Sequence, residues 1–299
     1  MPELPEVENL RLGLEKSILG QKILEVVVTK PKLVTDKGTL RTASKKKQQE
    51  FIKGITHEKF LSVERRAKNL IFKLSNNKII LAHLKMTGQF VYKSKKGNTN
   101  IVGGHPIEIS ERTLPNKHTH IIFKLEKGTL YYNDTRMFGY VLYHKDLQEF
   151  EKENHFHKLG KEPLDKDFTL KYFIGSLKGV SRNIKTVLMN QDIVTGIGNI
   201  YTDESLFQSK IRPTRRASSL KEAEVKELHK NIISIIKTAI KMGGSSVATY
   251  RLLDESRGNY ARVHKVYGKG GANCVTCNTT LKKILINNRA TVFCPRCQK

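Results

Sequence analysis

Between residues 5 and 18 the apolar positions Val7, Leu10, Leu14 and Ile18 fall on one helical face, and Pro5 and Glu6 suit a first turn. From about Gln21 to Tyr143 the pattern shortens to alternating runs rich in Ile, Val, Phe and Tyr. Asn69–Leu74 and Lys78–Leu84 flank the turn-like Ser75-Asn76-Asn77, and Thr119–Leu125 and Thr129–Asn133 flank Glu126-Lys127-Gly128. Paired strands with turns at this spacing predict a sandwich or a barrel. Lys45–Lys47 and Lys93–Asn100 read as exposed charged loops, and the polar stretch Lys145–Lys166 reads as a connection between domains.

Beyond that stretch the period is helical. Phe168–Leu177 and Ile184–Asn190 are expected helices, and Gly196-Ile197-Gly198 breaks the chain before a third at Asn199–Gln208. A longer helix is expected from Ser219, with Glu222 completing a capping box. Its apolar face would use Val225, Leu228, Ile232, Ile235 and Ala239, and Gly243-Gly244 would end it. Ser245–Tyr260 has little periodicity and reads as a long loop, a class of segment that is usually functional or mobile.

Charge narrows the function. Among 299 residues, 54 Lys and Arg stand against 28 Asp and Glu, a net charge of +26. With 38% hydrophobic residues the chain can bury real cores, so it is not a disordered polybasic tail. No apolar run reaches the ~18–20 residues that span a bilayer, and the acidic opening MPELPEVENL lacks the apolar segment of a secretory signal. The surplus calls for a polyanionic partner, nucleic acid first and an anionic membrane surface second.

All four cysteines lie near the end, as Cys274-x-x-Cys277 and Cys294-x-x-Cys297 with sixteen residues between the pairs. A redox dithiol needs only one pair, whereas two knuckles at this spacing supply four thiolates to one tetrahedral zinc. With every position filled the zinc is structural. Thr280–Ile286 and Arg289–Phe293 alternate as strands around the tight turn Asn287-Asn288, giving a zinc-bound β-hairpin. Arg289 follows the turn, about 17 Å along the strand from Cys294, so it sits at the tip where a guanidinium can reach a phosphate.

Several motifs are more specific. Pro2-Glu3-Leu4-Pro5-Glu6-Val7-Glu8, Arg65-Arg66-Ala67-Lys68 and His83-Leu84-Lys85-Met86-Thr87-Gly88 resemble the formamidopyrimidine-DNA glycosylases of bacteria. Asp134-Thr135-Arg136-Met137-Phe138-Gly139, Gly196-Ile197-Gly198-Asn199-Ile200-Tyr201 and Val266-Tyr267-Gly268 before the cysteine hairpin are similar to later motifs of that family, in the same order. The likeness runs from residue 2 to residue 298. It implies an α+β fold class: an N-terminal β-sandwich with an N-terminal helix over 2–150, then a linker at 151–165. A helix–two-turn–helix DNA-binding domain would follow over 166–265, with a lesion loop at about 245–260, and then a C-terminal zinc-ribbon β-hairpin over 266–299.

The resemblance also implies chemistry, a bifunctional glycosylase and abasic-site lyase acting on oxidised purines in double-stranded DNA. Once Met1 is removed, Pro2 presents a secondary amine, and an α-amino group with pKa about 8 is substantially unprotonated near neutral pH, unlike a lysine. A terminal proline is somewhat more basic than that, but a cleft loaded with Lys and Arg would push its pKa down. Glu3 is then the general acid/base, Lys68 the acid for β-elimination and a phosphate contact, and Arg289 the group for δ-elimination and phosphate clamping. Met86, Arg136 and Phe138 match the family's intercalating set, which fills the gap left by an extruded base. His118 matches a DNA-contacting histidine, while Asn199, at a helix N-terminus, and Arg182 fit phosphate contacts. Departures are Thr135 for proline, Met137 for a basic residue, Asn190 for Asp, Thr202 for Ala, and Arg182 one position beyond the family's basic residue. The expected cofactor is one structural Zn2+, and the partner is duplex DNA with oxidised purines or abasic sites, with no membrane involved. A monomer in the cytoplasm, on the nucleoid, is expected. Two rivals are the endonuclease VIII branch, which prefers oxidised pyrimidines, and a zinc DNA-binding module that has lost catalysis.

Overall fold

The structure, a computed structural model, describes residues 1–38, 41–95, 99–104, 113–152, 156–245 and 259–299. The described chain forms two compact units. The first comprises Met1–Phe156 together with Gly243–Ser245 and Asn259, and the second His157–Met242 with Tyr260–Lys299. Most of the expected lesion loop, 246–258, lies outside the described residues.

In the first unit α1 (Leu4–Ile18) is followed by β1 (Ile23–Val28), α2 (Lys32–Thr35) and α3 (Lys45–Ile55). Then come β2 (Phe60–Arg66), β3 (Asn69–Leu74), β4 (Ile79–His83), β5 (Gly88–Ser94), β6 (Thr99–Gly104), β7 (Thr119–Leu125), β8 (Gly128–Asp134), β9 (Tyr140–His144) and α4 (Leu147–Lys152). The strands make a five-stranded sheet, β1-β7-β8-β5-β6, and a four-stranded sheet, β2-β3-β4-β9, with antiparallel pairing throughout. The inward faces share one core, in which Phe72 of β3 meets Phe90 of β5 edge-on at 5.6 Å between ring centroids. Helix α1 adds Val7, Leu10, Leu14 and Ile18 to that core, each contributing ~1.5–3 kcal/mol on burial. This is the β-sandwich with an N-terminal helix that the sequence implies.

Two stretches differ from their sequence reading. Lys45–Lys47 opens α3 rather than a loop, because Ser44 caps the helix by accepting the Lys47 N–H at 3.2 Å and Phe51 and Ile55 bury its far face. Lys93–Asn100 ends β5 and begins β6, with residues 96–98 outside the described set. The polar connection at Lys145–Lys166 also has a packing role. Ile71, Ile79, Leu81, Tyr140 and Leu142 form a second apolar layer on the outer face of the four-stranded sheet, and Phe150 and Phe156 pack on it.

The second unit contains α5 (Leu170–Leu177), α6 (Ile184–Met189), α7 (Asn199–Gln208), α8 (Glu222–Lys241) and the hairpin β10 (Lys282–Ile286) and β11 (Arg289–Phe293). Helices α6 and α7 with the turns between them are the helix–two-turn–helix. Gly196, at φ +89°, supplies the left-handed turn there, and its N–H donates to Gln191 Oε1 at 3.0 Å. Helix α8 starts at Glu222, three residues after the position the sequence suggested. Ser219 is taken up in a 3-10 turn, and the Lys221 N–H instead donates to Glu224 Oε2 at 2.8 Å. Its buried face uses Ile236 in place of Ile235. Among the described residues no helix is long and apolar enough to cross a membrane.

Candidate functional site

Strand register gathers the first group of candidates. Gly88 pairs with Asp134, Thr119 with Asn133, Asn69 with His83 and His83 with Tyr140. The turn at Ala67-Lys68 and the loops 84–87, 116–118 and 135–139 therefore leave the strands at one end of the sandwich. Lys68, Met86, His118, Arg136 and Phe138 all belong to those segments.

The loops are held by a buried polar network centred on Asp134, which is 0% exposed. Its carboxylate accepts the Gly139 N–H at 2.7 Å and the Tyr132 hydroxyl at 3.4 Å, and it also bonds the Thr87 hydroxyl. Thr87 Oγ1 in turn accepts the Arg136 N–H at 3.1 Å, so the Met86 turn and the Arg136 loop share one hinge point. Burial, reinforced by the Asp134 charge, pushes the Tyr132 phenol well above its ordinary range, so it stays a neutral donor. A side chain at Gly139 would collide with the Tyr132 hydroxyl, which is why only glycine fits there. Against this fixed base Met86 and Phe138 stand 41% and 37% exposed, and the Arg136 guanidinium lies 4.5 Å over the Phe138 ring. Two apolar groups held out in water beside a cation, on a buried scaffold, are suited to contact a stack of bases. Met137, where the family motif carries a basic residue, packs back onto the sandwich core. The His118 carbonyl accepts the Asp134 N–H at 3.0 Å, which places His118 beside the same loop. His120 is a structural partner instead. It is buried, with its ring Nε2 2.9 Å from the Asp134 carbonyl, and burial pulls its pKa down.

The chain start is fixed from α1. The Glu3 N–H donates to Glu6 Oε2 at 2.9 Å, and the other Glu6 oxygen accepts the Ser245 N–H at 2.7 Å. Both carboxylates are buried at the helix N-terminus, whose dipole favours them. Gly244, at φ +81°, lets the backbone come this close, since a Cβ there would lie 2.9 Å from Glu6 Oε1. Further along α1, Glu8 takes Arg65 at 2.7 Å and Arg11 at 2.9 Å. Burial works to raise the Glu8 carboxyl, yet the two arginines outweigh it and hold it below the usual range. Arg65 also donates to the Ala67 carbonyl at 3.0 Å, and Ala67 turns at φ +55° ahead of the buried Lys68. The helix that begins just after Pro2 and Glu3 thus braces the turn that carries Lys68.

The second unit gathers Asn199 and Arg289. Asn199 opens α7, and its Nδ2 donates to the Ala290 carbonyl at 2.9 Å. The Asn287 amide donates to Thr186 Oγ1 at 2.9 Å, and Asn287-Asn288, at φ 48° and 57°, makes the expected tight turn. Beneath them Lys185 and Asp203 form an ion pair at 2.5 Å, with both side chains essentially inaccessible. The second Asp203 oxygen accepts the Val292 N–H at 3.1 Å, so the pair ties both helices to β11. Arg289 is exposed at the tip. Arg182 is exposed too, in the turn before Asn183, whose side chain caps α6. The Arg182 carbonyl accepts the Ala217 N–H rather than joining the Asn199 network.

Burial pushes the Asp203 carboxyl up to about 6, with Lys185 opposing it. A carboxyl raised in the folded state favours folding at low pH, and that contribution is lost as pH rises through the folded value. Removing Lys185 raises that value further. Lys185→Met is therefore expected to cost about 3–5 kcal/mol near pH 8. At pH 6, where Asp203 can take up a proton, the cost should be smaller. Denaturant unfolding of the zinc-loaded protein at both pH values measures this, and equal losses would contradict it.

The four cysteine sulfurs lie within 4.8 Å of one another, with Cys274 and Cys297 at 3.9 Å and Cys277 and Cys294 at 3.5 Å. Thiolates about 2.3 Å from a tetrahedral zinc stand roughly 3.8 Å apart, so the set fits one Zn2+. The Thr276 and Cys297 N–H groups approach Cys274 and Cys294 sulfurs at 3.4 and 3.3 Å, orienting the ligands. Glu204 fixes the entry to this module by accepting the N–H groups of Lys265, Val266 and Tyr267 at 2.9, 3.0 and 2.8 Å.

Comparison with known proteins bears on what these groups are for. Residues 1–141 match the formamidopyrimidine-DNA glycosylase N-terminal domain, 159–251 the formamidopyrimidine-DNA glycosylase H2TH domain, and 273–299 a zinc finger found in FPG and IleRS. A formamidopyrimidine-DNA glycosylase of Listeria monocytogenes serovar 1/2a is 40% identical over 300 residues, covering 100% of both chains. The chain belongs to the formamidopyrimidine-DNA glycosylase family. A solved point mutant of the Lactococcus lactis FPG, in complex with DNA containing Fapy-dG, superposes with a TM-score of 0.85 at 34% identity over 100% of both chains. The Lactococcus lactis Fpg with DNA containing an abasic site gives 0.84 at 33% identity over 99% of each. Within this family fold the four cysteines hold a single structural Zn2+. Sequence reading missed Glu6, Asp134, Lys185, Asp203 and Glu204 as supports of the site. Each acts by burial of a charge, which a single sequence does not display.

Proposed function

We propose that this chain is a bifunctional DNA glycosylase and abasic-site lyase that removes oxidised purines, 8-oxoguanine and formamidopyrimidines, from duplex DNA in base excision repair. The observation that carries the reading is the half-exposed trio Met86, Arg136 and Phe138, held out from a buried Asp134 network within a glycosylase-family sandwich. Such a trio fills the space a flipped nucleotide vacates, and a guanidinium can hydrogen-bond the base left behind.

After loss of Met1, the Pro2 nitrogen attacks C1′ of the damaged nucleoside. The N–C1′ bond forms as the glycosidic bond breaks, and the base leaves with a proton supplied through Glu3 acting as general acid. Opening of the sugar ring gives an iminium, which acidifies the C2′ proton. Loss of that proton expels the 3′ phosphate with Lys68 nearby to assist, and a second elimination, assisted by Arg289, expels the 5′ phosphate. Hydrolysis of the remaining imine frees the amine. His118, Asn199 and Arg182 are assigned to the DNA backbone, where most of the +26 surplus acts without reading sequence. A monomeric cytoplasmic protein associated with the chromosome fits this role.

A competition between duplexes carrying 8-oxoguanine and thymine glycol tests the lesion class. Faster excision of 8-oxoguanine is expected, and faster excision of thymine glycol would move the chain to the oxidised-pyrimidine branch.

A further inference from the structure

Arg41 has no place in the chemistry above, yet it grips the loop that carries Phe138. Its Nη2 donates to the Met137 carbonyl at 2.5 Å and its Nη1 to the Gly139 carbonyl at 2.6 Å. A weaker contact at 3.5 Å reaches the carbonyl of Asp36. Among the described residues these carbonyls are its partners, and its buried Nε has none. A guanidinium that could sit in water beside phosphate is instead spent on two backbone oxygens flanking one aromatic residue.

We infer that Arg41 is a positioning residue for base extrusion, a clamp that fixes the Phe138 wedge through the carbonyls on either side of it. Met137 occupies the left-handed region at φ +53°, which costs a residue with a Cβ of order 1 kcal/mol and persists only when its surroundings hold it. Asp134 holds the loop from within through the Gly139 N–H at 2.7 Å, and Arg41 holds it through the two carbonyls. The planar fork of an arginine spans both carbonyls at once, which the single point of a lysine ammonium does not. Without the fork, Met137 can relax out of the left-handed conformation and Phe138 with it.

This rests on the reading of Met86, Arg136 and Phe138 as a wedge, and the test separates the two. Full-length zinc-loaded Arg41→Met, Arg41→Lys and Phe138→Ala proteins are compared with wild type on two substrates. One is a duplex with 8-oxoguanine opposite cytosine, which demands extrusion. The other is a single strand with an abasic site, which demands none. For Arg41→Met, single-turnover cleavage of the duplex should slow by about 10- to 100-fold while cleavage of the single strand is unchanged. Phe138→Ala should likewise lose more on the duplex than on the single strand, and Arg41→Lys should recover part of the duplex rate. Wild-type duplex cleavage by Arg41→Met, or an equal loss on both substrates, would overturn the clamp while Phe138→Ala still showed the split. A Phe138→Ala protein without the split would overturn the wedge itself, and the clamp with it.

Discussion

Pro2→Gly is expected to slow excision of 8-oxoguanine from duplex DNA by about 100-fold while leaving more of the cleavage of preformed abasic sites intact. Glycine at the same place still offers a terminal α-amine of similar basicity, so the change does not delete the nucleophile. It removes two properties of the ring. A secondary amine gives an iminium with no N–H to lose, so the positive charge that draws electrons from C2′ persists. The ring also fixes the backbone torsion at the attacking nitrogen, and a nucleophile that wanders loses effective concentration. An open abasic sugar presents an aldehyde that reacts with less exacting alignment, and hence the smaller loss on that substrate. Helix α1 starts at Leu4 and keeps its Glu3–Glu6 contact, so the fold should not change. Single-turnover rates on both substrates measure the effect, and unchanged excision would contradict the assignment of Pro2.

Stripping the zinc should have the largest effect on stability. A two-stranded hairpin is marginal in water, and β10–β11 relies on the knuckles at its base. Structural zinc in four thiolates contributes apparent binding free energies of about 10–16 kcal/mol at neutral pH in small domains, most of it spent on ordering the site. Cys274 and Cys294 are buried and belong to the small core with Phe207, Val266, Leu281 and Val292. Losing the metal should therefore loosen that core and release Arg289 from its place at the tip. A strong chelator should lower the unfolding midpoint and abolish strand cleavage through δ-elimination, and zinc should restore both. Cys277→Ser should purify with less than one equivalent of zinc. A chelated protein with an unshifted midpoint and full δ-elimination would contradict the structural role of the metal.

Much of the architecture was legible because it depends on local patterns. The α1 face, the β10–β11 hairpin with its two left-handed asparagines, and the four cysteines follow from periodicity, turn chemistry and ligand spacing. The failures share a cause as well. Lys45–Lys47 looks like a solvated loop because its helix has a polar face, and the burying residues Phe51 and Ile55 come only one and two turns later. Lys145–Lys166 looks like a bare linker because Phe150 and Phe156 are isolated aromatics, whose purpose appears only when the outer face of the four-stranded sheet is seen to need covering. The candidate site shows the same division. The exposed groups proposed to meet DNA carry recognisable motifs, whereas Arg41, Lys185 and Asp203 act through partners roughly 100, 18 and 90 residues away in the chain, a separation that no local pattern encodes.

The charge surplus gains a structural meaning from this. Several cations are committed inward: Lys185 to Asp203, Arg65 and Arg11 to Glu8, and Arg41 to backbone carbonyls. Binding to undamaged duplex then falls to the exposed remainder and should weaken steeply with salt, as released counterions dictate.

The central claim is that the terminal amine of Pro2 becomes covalently bonded to the sugar of a damaged nucleotide. Sodium borohydride supplies hydride to the C=N bond of the iminium and converts it to a stable amine. The zinc-loaded protein, incubated with an 8-oxoguanine duplex and borohydride, should yield one protein–DNA adduct per chain. Peptide mass spectrometry should place the link on residue 2, with Met1 absent. A fully folded protein that gives no adduct, or an adduct carried by a lysine such as Lys68, would contradict it.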